Sequence, residues 1–99
     1  MRETWHRTPR LLRALGSPVR YQIVKLLCTG KHTPSALAAK LKRRLLVISQ
    51  HLAALRALDV VRFEYAGQRV QYWMKYRSIR ELLAKAERIA EAMRVEAKE

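Results

Sequence analysis

A hydroxyl residue stands directly before a proline three times in the first 34 residues, and this repeated pair limits the possible folds more than any other feature. The pairs are Thr8-Pro9, Ser17-Pro18 and Thr33-Pro34. A hydroxyl side chain accepts a hydrogen bond from the free N–H groups of a first helical turn, and proline is favoured at the first helical position. Each pair therefore predicts a helix start, and their spacing predicts short helices.

The segments after these pairs carry apolar residues three and four positions apart, which is the spacing of an amphipathic helix. Gly16 and Gly30 are expected to end the first two helices. A third short helix runs up to a basic turn, and a fourth helix follows that turn. The predicted inward stripe of the fourth helix consists of Leu45, Ile48, Leu52, Leu55 and Leu58.

The spacing of the apolar residues changes from helical to alternating after residue 60. Two alternating runs flank Ala66-Gly67-Gln68 and predict a β-hairpin with a three-residue loop. The pattern Ser78-Ile79-Arg80-Glu81 is typical of a capping box and begins a long amphipathic helix. The predicted fold is mostly α with a small β-hairpin, in the order α-α-α-α-β-β-α, and residues 1–99 are expected to form one domain.

The net charge of +13 indicates the class of partner. Residues 1–58 hold 12 basic residues and one acid, and residues 59–99 hold nine basic residues and seven acids. A domain this basic attracts phosphates. The basic half lacks a helix that carries cations opposite bulky apolar residues, as a membrane-surface helix does. Nucleic acid is therefore the expected partner.

The remaining composition indicates an intracellular protein. Leu45-Leu46-Val47-Ile48 is an apolar run far shorter than the ~20 residues of a membrane span, and the first residues do not form a signal-peptide pattern. One cysteine, Cys28, excludes an internal disulfide. We expect a cytoplasmic location. The sequence contains no nucleophile–base set and no Gly-rich phosphate loop, so we do not expect an enzyme.

The third and fourth predicted helices, joined by a tight turn, have the layout of a helix-turn-helix, whose second helix enters the major groove. The hairpin that follows can act as a wing against the DNA backbone. Gln50 is expected to bond an adenine edge and Leu46 to contact a thymine methyl, which predicts an A·T-containing half-site. The candidate DNA contacts on the turn, the helix and the hairpin are Lys42, Arg43, Arg44, Leu46, Ser49, Gln50, Arg62, Gln68 and Arg69.

Three segments together resemble the ArsR/SmtB-like winged-helix repressors, namely residues 15–27, 49–56 and 67–72. The resemblance implies a winged helix, repression by operator binding and a homodimer built by the first and last helices. His51 matches a histidine of the family and is expected to pack beside the recognition helix or to contact a phosphate. The predicted dimer contacts are Leu11, Leu12, Ile79, Leu82, Leu83, Ala86, Ile89 and Met93.

The chain departs from the family pattern at two places. The third helix has no cysteine and the last helix has no histidine, so the usual metal-sensing residues are missing and we expect no metal or other cofactor. Residues 45–47 are apolar where the family usually has polar residues. Cys28 is interpreted as a small buried residue at a helix end, and Glu87 and Glu91 as solvated carboxylates.

Two alternatives to a sequence-specific regulator stay open at this point. The high charge and the apolar Leu46 and Val47 also fit a non-specific DNA-coating or architectural protein. The same two residues fit a protein-interaction module that uses them as a contact patch. Specific binding that exceeds non-specific binding by ~10³ would separate the regulator from the coating protein.

Overall fold

Five helices and one hairpin follow each other in the predicted order. The computed structural model describes residues 2–98, with the side chains of residues 5–97. The elements are α1 (Arg2–Leu15), α2 (Pro18–Leu27), α3 (Pro34–Leu41), α4 (Leu45–Ala57), β1 (Val61–Ala66), β2 (Arg69–Met74) and α5 (Ser78–Lys98). This order confirms the winged helix-turn-helix.

Two of the three predicted helix starts are confirmed. The hydroxyl of Ser17 accepts a hydrogen bond from the Arg20 N–H at 3.5 Å, and the hydroxyl of Thr33 accepts one from the Ala36 N–H at 3.1 Å. The start predicted at Pro9 is wrong, because α1 begins well before this residue and contains it. The fixed φ of proline is a helical value, so proline can stay inside a helix at the cost of one backbone hydrogen bond.

The core lies between α2, α3, α4 and the start of the hairpin. The residues with the least exposed side chains are Ile23, Val24, Leu37, Ile48, Leu52, Leu55 and Val61. Three members of the α4 stripe are thus buried as predicted. The prediction is wrong for Leu45 and Leu58, which are 50% and 37% exposed. Both stand at the ends of α4, where the small core no longer covers the stripe.

The hairpin is tighter than predicted. Its strands pair antiparallel from Val61 with Met74 to Ala66 with Arg69, so the loop holds two residues rather than three. Gly67, the first of them, has φ +66, a backbone conformation that glycine adopts without a side-chain clash. A two-residue loop of this kind suits the twist of the flanking strands.

Contacts from the helices fix the orientation of the hairpin, called the wing below. The backbone of His32 pairs with that of Tyr72 through hydrogen bonds of 3.1 and 2.8 Å, so the segment before α3 joins β2. The guanidinium of Arg56 lies 5.0 Å from the centre of the Phe63 ring, a cation–π contact between α4 and β1. The wing is therefore held against both helices of the helix-turn-helix.

The start of α5 differs from the predicted capping box. Ser78 is the first residue of the helix, and the N–H groups of Ile79 and Arg80 donate to the carbonyls of Tyr76 and Arg77. Two N–H groups of the first turn are thus paired with backbone carbonyls that precede the helix.

A carboxylate of α5 joins this helix to α2. The hydroxyl of Tyr21 and the ammonium of Lys25 both donate to Glu87, and these two hydrogen bonds lower the pKa of Glu87. The prediction of a merely solvated Glu87 is therefore wrong. Glu91 lies on the exposed surface, where it pairs with Arg94 of the next turn.

Only the first part of α5 belongs to the core of a single chain. Ile79 and Leu83 are buried there, whereas Ile89 and Met93 are 62% and 64% exposed. None of the helices within residues 2–98 has the length and apolar character that a membrane span requires.

Candidate nucleic-acid interface

The turn between α3 and α4 presents three exposed cations, Lys42, Arg43 and Arg44, and is called the basic turn below. Lys42 ends α3 in the left-handed conformation with φ 55, and the Arg43 N–H donates to the Ala38 carbonyl at 3.0 Å. This compact geometry turns the chain sharply into α4. None of the three cations forms an ion pair with the residues that the structure describes.

The first turn of α4 adds partial positive charge beside the basic turn. Arg44 occupies the N-cap position and makes no side-chain capping bond, since a guanidinium has no acceptor atom. The first N–H groups of α4 therefore lack the capping acceptor that a Ser or Asp would supply. A helix start with free N–H groups and the positive end of the helix dipole is a suitable site for a phosphate.

The outward face of α4 carries two rows of exposed side chains. Residues four apart lie above one another on a helix, so Leu46 and Gln50 form one row and Leu45 and Ser49 the other. All four are exposed, because the opposite face of α4 is buried in the core. The structure thus brings the predicted helix contacts together on one face and adds Leu45, which the sequence had assigned to the core.

A groove of about 540 Å³ separates α4 from the tip of the wing and is called the wing groove below. Its lining residues are Thr33, Pro34, Ser35, Leu45, Ser49, Gln68, Arg69 and Val70. The predicted wing residues Gln68 and Arg69 therefore lie across from the predicted α4 residue Ser49. Sequence reasoning missed Ser35, although its place directly after the Thr33-Pro34 pair puts it in the first turn of α3.

The predicted wing contacts fall into two groups. Gln68 and Arg69 stand at the tip, and Arg69 has no ion pair within the described part of the chain. Arg62 stands near the base, opposite Trp73, and its guanidinium pairs with Asp59 at 3.2 Å. Hydrogen bonds from Lys75 and Arg62 lower the pKa of Asp59, so this carboxylate is ionised and offsets the charge of Arg62. The positive charge of the wing is therefore greatest at its tip.

His51 is half-buried on α4, and its charged neighbours are Arg20 of α2 and Arg43 of the basic turn. Its partial burial, with the nearby charges of Arg20 and Arg43, lowers its pKa, and the imidazole is therefore uncharged at neutral pH. Arg20 was not among the predicted contacts. Its Nε donates to the Ala14 carbonyl at 3.0 Å, which holds this side chain against the end of α1.

The thiol and the histidines do not form a ligand cluster. No group of three His, Cys, Asp or Glu side chains in the described residues is arranged to hold a metal ion. Cys28 is half-buried at the end of α2, and burial is the main cause that raises its pKa, against the opposing effects of Arg80 and Lys25. Its thiol therefore stays protonated at neutral pH, which fits the predicted packing role.

Comparison with known proteins gives one family match. Residues 17–62, which include α2, α3, α4 and the start of the wing, match the family model "Bacterial regulatory protein, arsR family". No curated protein matches the sequence.

Solved structures with the same fold include several transcription regulators. NolR from Sinorhizobium fredii has a TM-score of 0.80 and 27% identity, with 89% of this chain and 88% of that chain covered. Mb0332 from Mycobacterium bovis, described as a homodimeric winged helix-turn-helix DNA-binding domain, has a TM-score of 0.81 and 26% identity, with 90% and 82% covered. The cadmium sensor CMTR from Mycobacterium tuberculosis has a TM-score of 0.68 and 34% identity, with 78% and 80% covered.

The charge environment of His51 can be tested by substituting its neighbours. Arg43→Gln should raise the pKa of His51, because removing a nearby positive charge favours the imidazolium. Arg44→Gln is the matched control and should leave this pKa unchanged, since Arg44 is not among the groups that shift it. Titration of the imidazole by NMR measures both. If the pKa of His51 does not change in the Arg43→Gln variant, the described geometry is contradicted.

Proposed function

Because this chain belongs to the ArsR family of bacterial regulatory proteins, we propose that it is a homodimeric repressor that binds operator DNA through α4, the basic turn and the wing tip. The family makes the chain a DNA-binding transcription regulator. The observation that carries the proposal is the convergence of unpaired cations, uncapped helix N–H groups and the exposed side chains of α4 on one side of the molecule. The proposal includes a cytoplasmic location, where bacterial DNA lies.

The phosphate contacts are assigned to the basic turn and to Arg69. These four cations flank the exposed face of α4, three of them in the turn directly before it and one across the wing groove. Such contacts orient a protein on the duplex without reading its sequence. Each phosphate neutralised releases counterions, so the slope of log affinity against log salt steepens by about 0.9 per contact.

The base contacts are assigned to Gln50 and Ser49. A glutamine amide carries both a donor and an acceptor, which suits the N7 and N6 groups of adenine in the major groove. Gln50 is exposed in the second turn of α4, within the amino-terminal part of the helix that reaches base edges in helix-turn-helix proteins. Ser49 lines the wing groove and is available to a neighbouring base or phosphate.

The proposal does not include metal sensing. CMTR is described as a cadmium sensor, but that description concerns CMTR alone. In residues 2–98 of the present chain, the histidines and the cysteine are scattered, and no three potential ligands converge. Metal sites need several convergent donors of suitable chemistry.

The dimer is assigned to the exposed apolar side chains of α1 and α5. Ile89 and Met93 lie beyond the part of α5 that its own core covers, and Leu12 is exposed on α1. A second copy related by a twofold axis would bury the same patch on both chains. Ile79 and Leu83 contribute to the core of each copy instead, while Leu11 and Leu82 are half-buried at its edge.

Base reading is tested by Gln50→Ala. Loss of the adenine contact should cost about 1–3 kcal/mol on the preferred duplex and little on random duplex, measured at one salt concentration. Gln22→Ala is the matched control, because Gln22 is also exposed but lies on α2. If Gln50→Ala leaves the ratio of the two affinities unchanged, α4 does not read bases through this residue.

Dimerisation is tested by Ile89→Glu. A carboxylate placed in the symmetric apolar patch would lose its hydration on pairing, so the variant should be monomeric at micromolar concentration. Lys85→Gln on the charged face of α5 lowers the net charge by the same amount and should stay dimeric. Sedimentation equilibrium distinguishes the two states. A parent chain that sediments as a folded monomer would argue against the assigned interface.

A further inference from the structure

The first turn of α4 presents two neighbouring leucines to solvent in the position where a recognition helix meets DNA. Leu46 is 67% exposed and Leu45 is 50% exposed. Amino-terminal residues of the recognition helix contact base edges in helix-turn-helix proteins. The first turn of this helix therefore offers the bases two alkyl side chains and no hydrogen-bonding side-chain group at these two positions.

The major groove contains one apolar feature that such side chains can contact. Adenine, guanine and cytosine present donors and acceptors there, whereas thymine also presents its C5-methyl group. A leucine pressed against a polar edge removes water from that edge without replacing its hydrogen bonds, which is unfavourable. A leucine against a methyl group gains the burial of apolar surface on both partners.

Charge complementarity selects DNA as the occupant of this leucine pair. Lys42, Arg43 and Arg44 precede it in the chain, and Arg69 lies across the wing groove from Leu45. None of these cations has an ion-pair partner among the described residues. Cations therefore lie on both sides of the apolar pair, where they would attract a polyanion such as DNA.

We propose that Leu45 and Leu46 read C5-methylpyrimidines, and that these methyl groups determine part of the operator specificity. The inference rests on the proposed function, since it names what the first turn of α4 recognises. The chemical group is shared by thymine and 5-methylcytosine. Unmethylated cytosine and uracil lack it and should be bound less tightly at these positions.

Leu46 and Gln50 lie in one row of α4, and their separation sets the distance along the DNA between the bases that they contact. Four residues advance a helix axis by about 6 Å, close to the rise of two base pairs. For a helix that follows the groove, the methyl group read by Leu46 lies within about two base pairs of the adenine read by Gln50. Leu45 shares its row with Ser49 and lies nearer the wing tip.

The test uses the dimer of the 99-residue chain and a duplex selected from random DNA. Each thymine of the half-site is replaced in turn by deoxyuridine, which removes the methyl group and keeps the Watson–Crick pairing. We expect about a fourfold loss of affinity at one or two positions for the parent, the loss that corresponds to one buried methyl-sized group. A duplex with 5-methylcytosine opposite guanine at those positions should bind better than the same duplex with cytosine.

A double-mutant cycle combines each leucine substitution with the replacement of thymine by deoxyuridine, and it tests whether the leucines cause the loss of affinity. In Leu46→Ala or Leu45→Ala, deoxyuridine at the corresponding position should cost nothing further, whereas Leu58→Ala at the other end of α4 should keep the full effect. Both leucines are exposed, so loss of folding is not expected and circular dichroism checks it. The inference is overturned, while the proposed function stands, if the parent selects a sequence but loses no affinity when any thymine is replaced by deoxyuridine. It is also overturned if both leucine variants lose as much affinity on this replacement as the parent does. A parent that selects no sequence overturns both.

Discussion

The burial of one face of α4 is the interaction on which the rest of the structure depends. Ile48, Leu52 and Leu55 are sealed in the core against α2 and α3. Because side chains advance by about 100° per residue, fixing these three determines every other side-chain direction on the helix. Gln50 and Leu46 must then point outward. The side chains that we propose to contact DNA are thus positioned by apolar packing on the opposite face of α4.

The electrostatic arrangement follows from the same geometry. Lys42 ends α3 in a left-handed conformation, which brings the cations of the basic turn directly before the exposed face of α4. The chain has 99 residues and a net charge of +13, so its cationic side chains repel one another. Bound phosphates would reduce this repulsion. Pairing of two copies through α5 would add to the repulsion and must be offset by apolar burial at Ile89 and Met93. Dimerisation and DNA binding are therefore linked through charge.

Sequence patterns predicted every element of the fold, because hydroxyl–proline starts, helical spacing and alternation are local signals. They failed where the outcome depends on what surrounds a residue. Leu45 has the spacing of a core residue, but it lies outside the core and is exposed. Pro9 was expected to begin a helix, but it lies inside α1. The contact of Glu87 with Tyr21 joins residues far apart in the chain, so no local pattern could have indicated it.

The candidate interface shows the same division. The cations of the basic turn and the outward direction of Gln50 follow from helix periodicity and were predictable. The approach of Arg69 to Ser49 across the wing groove depends on how the wing packs, through His32 and Arg56, and no sequence signal gave it. The sequence could not predict that the charge of Arg62 is offset, because its ion pair with Asp59 depends on how the chain folds.

The central claim is that two chains act together at one specific site. The most direct measurement is the number of chains that bind a selected duplex as its flanking DNA is lengthened. Sedimentation or native mass spectrometry at fixed salt gives this number. We expect two chains per duplex at saturation of the specific site, whatever the flank length, with an affinity at least ~10³ above that for random DNA. A bound number that grows in proportion to duplex length, with no such preference, would contradict it and indicate a DNA-coating protein.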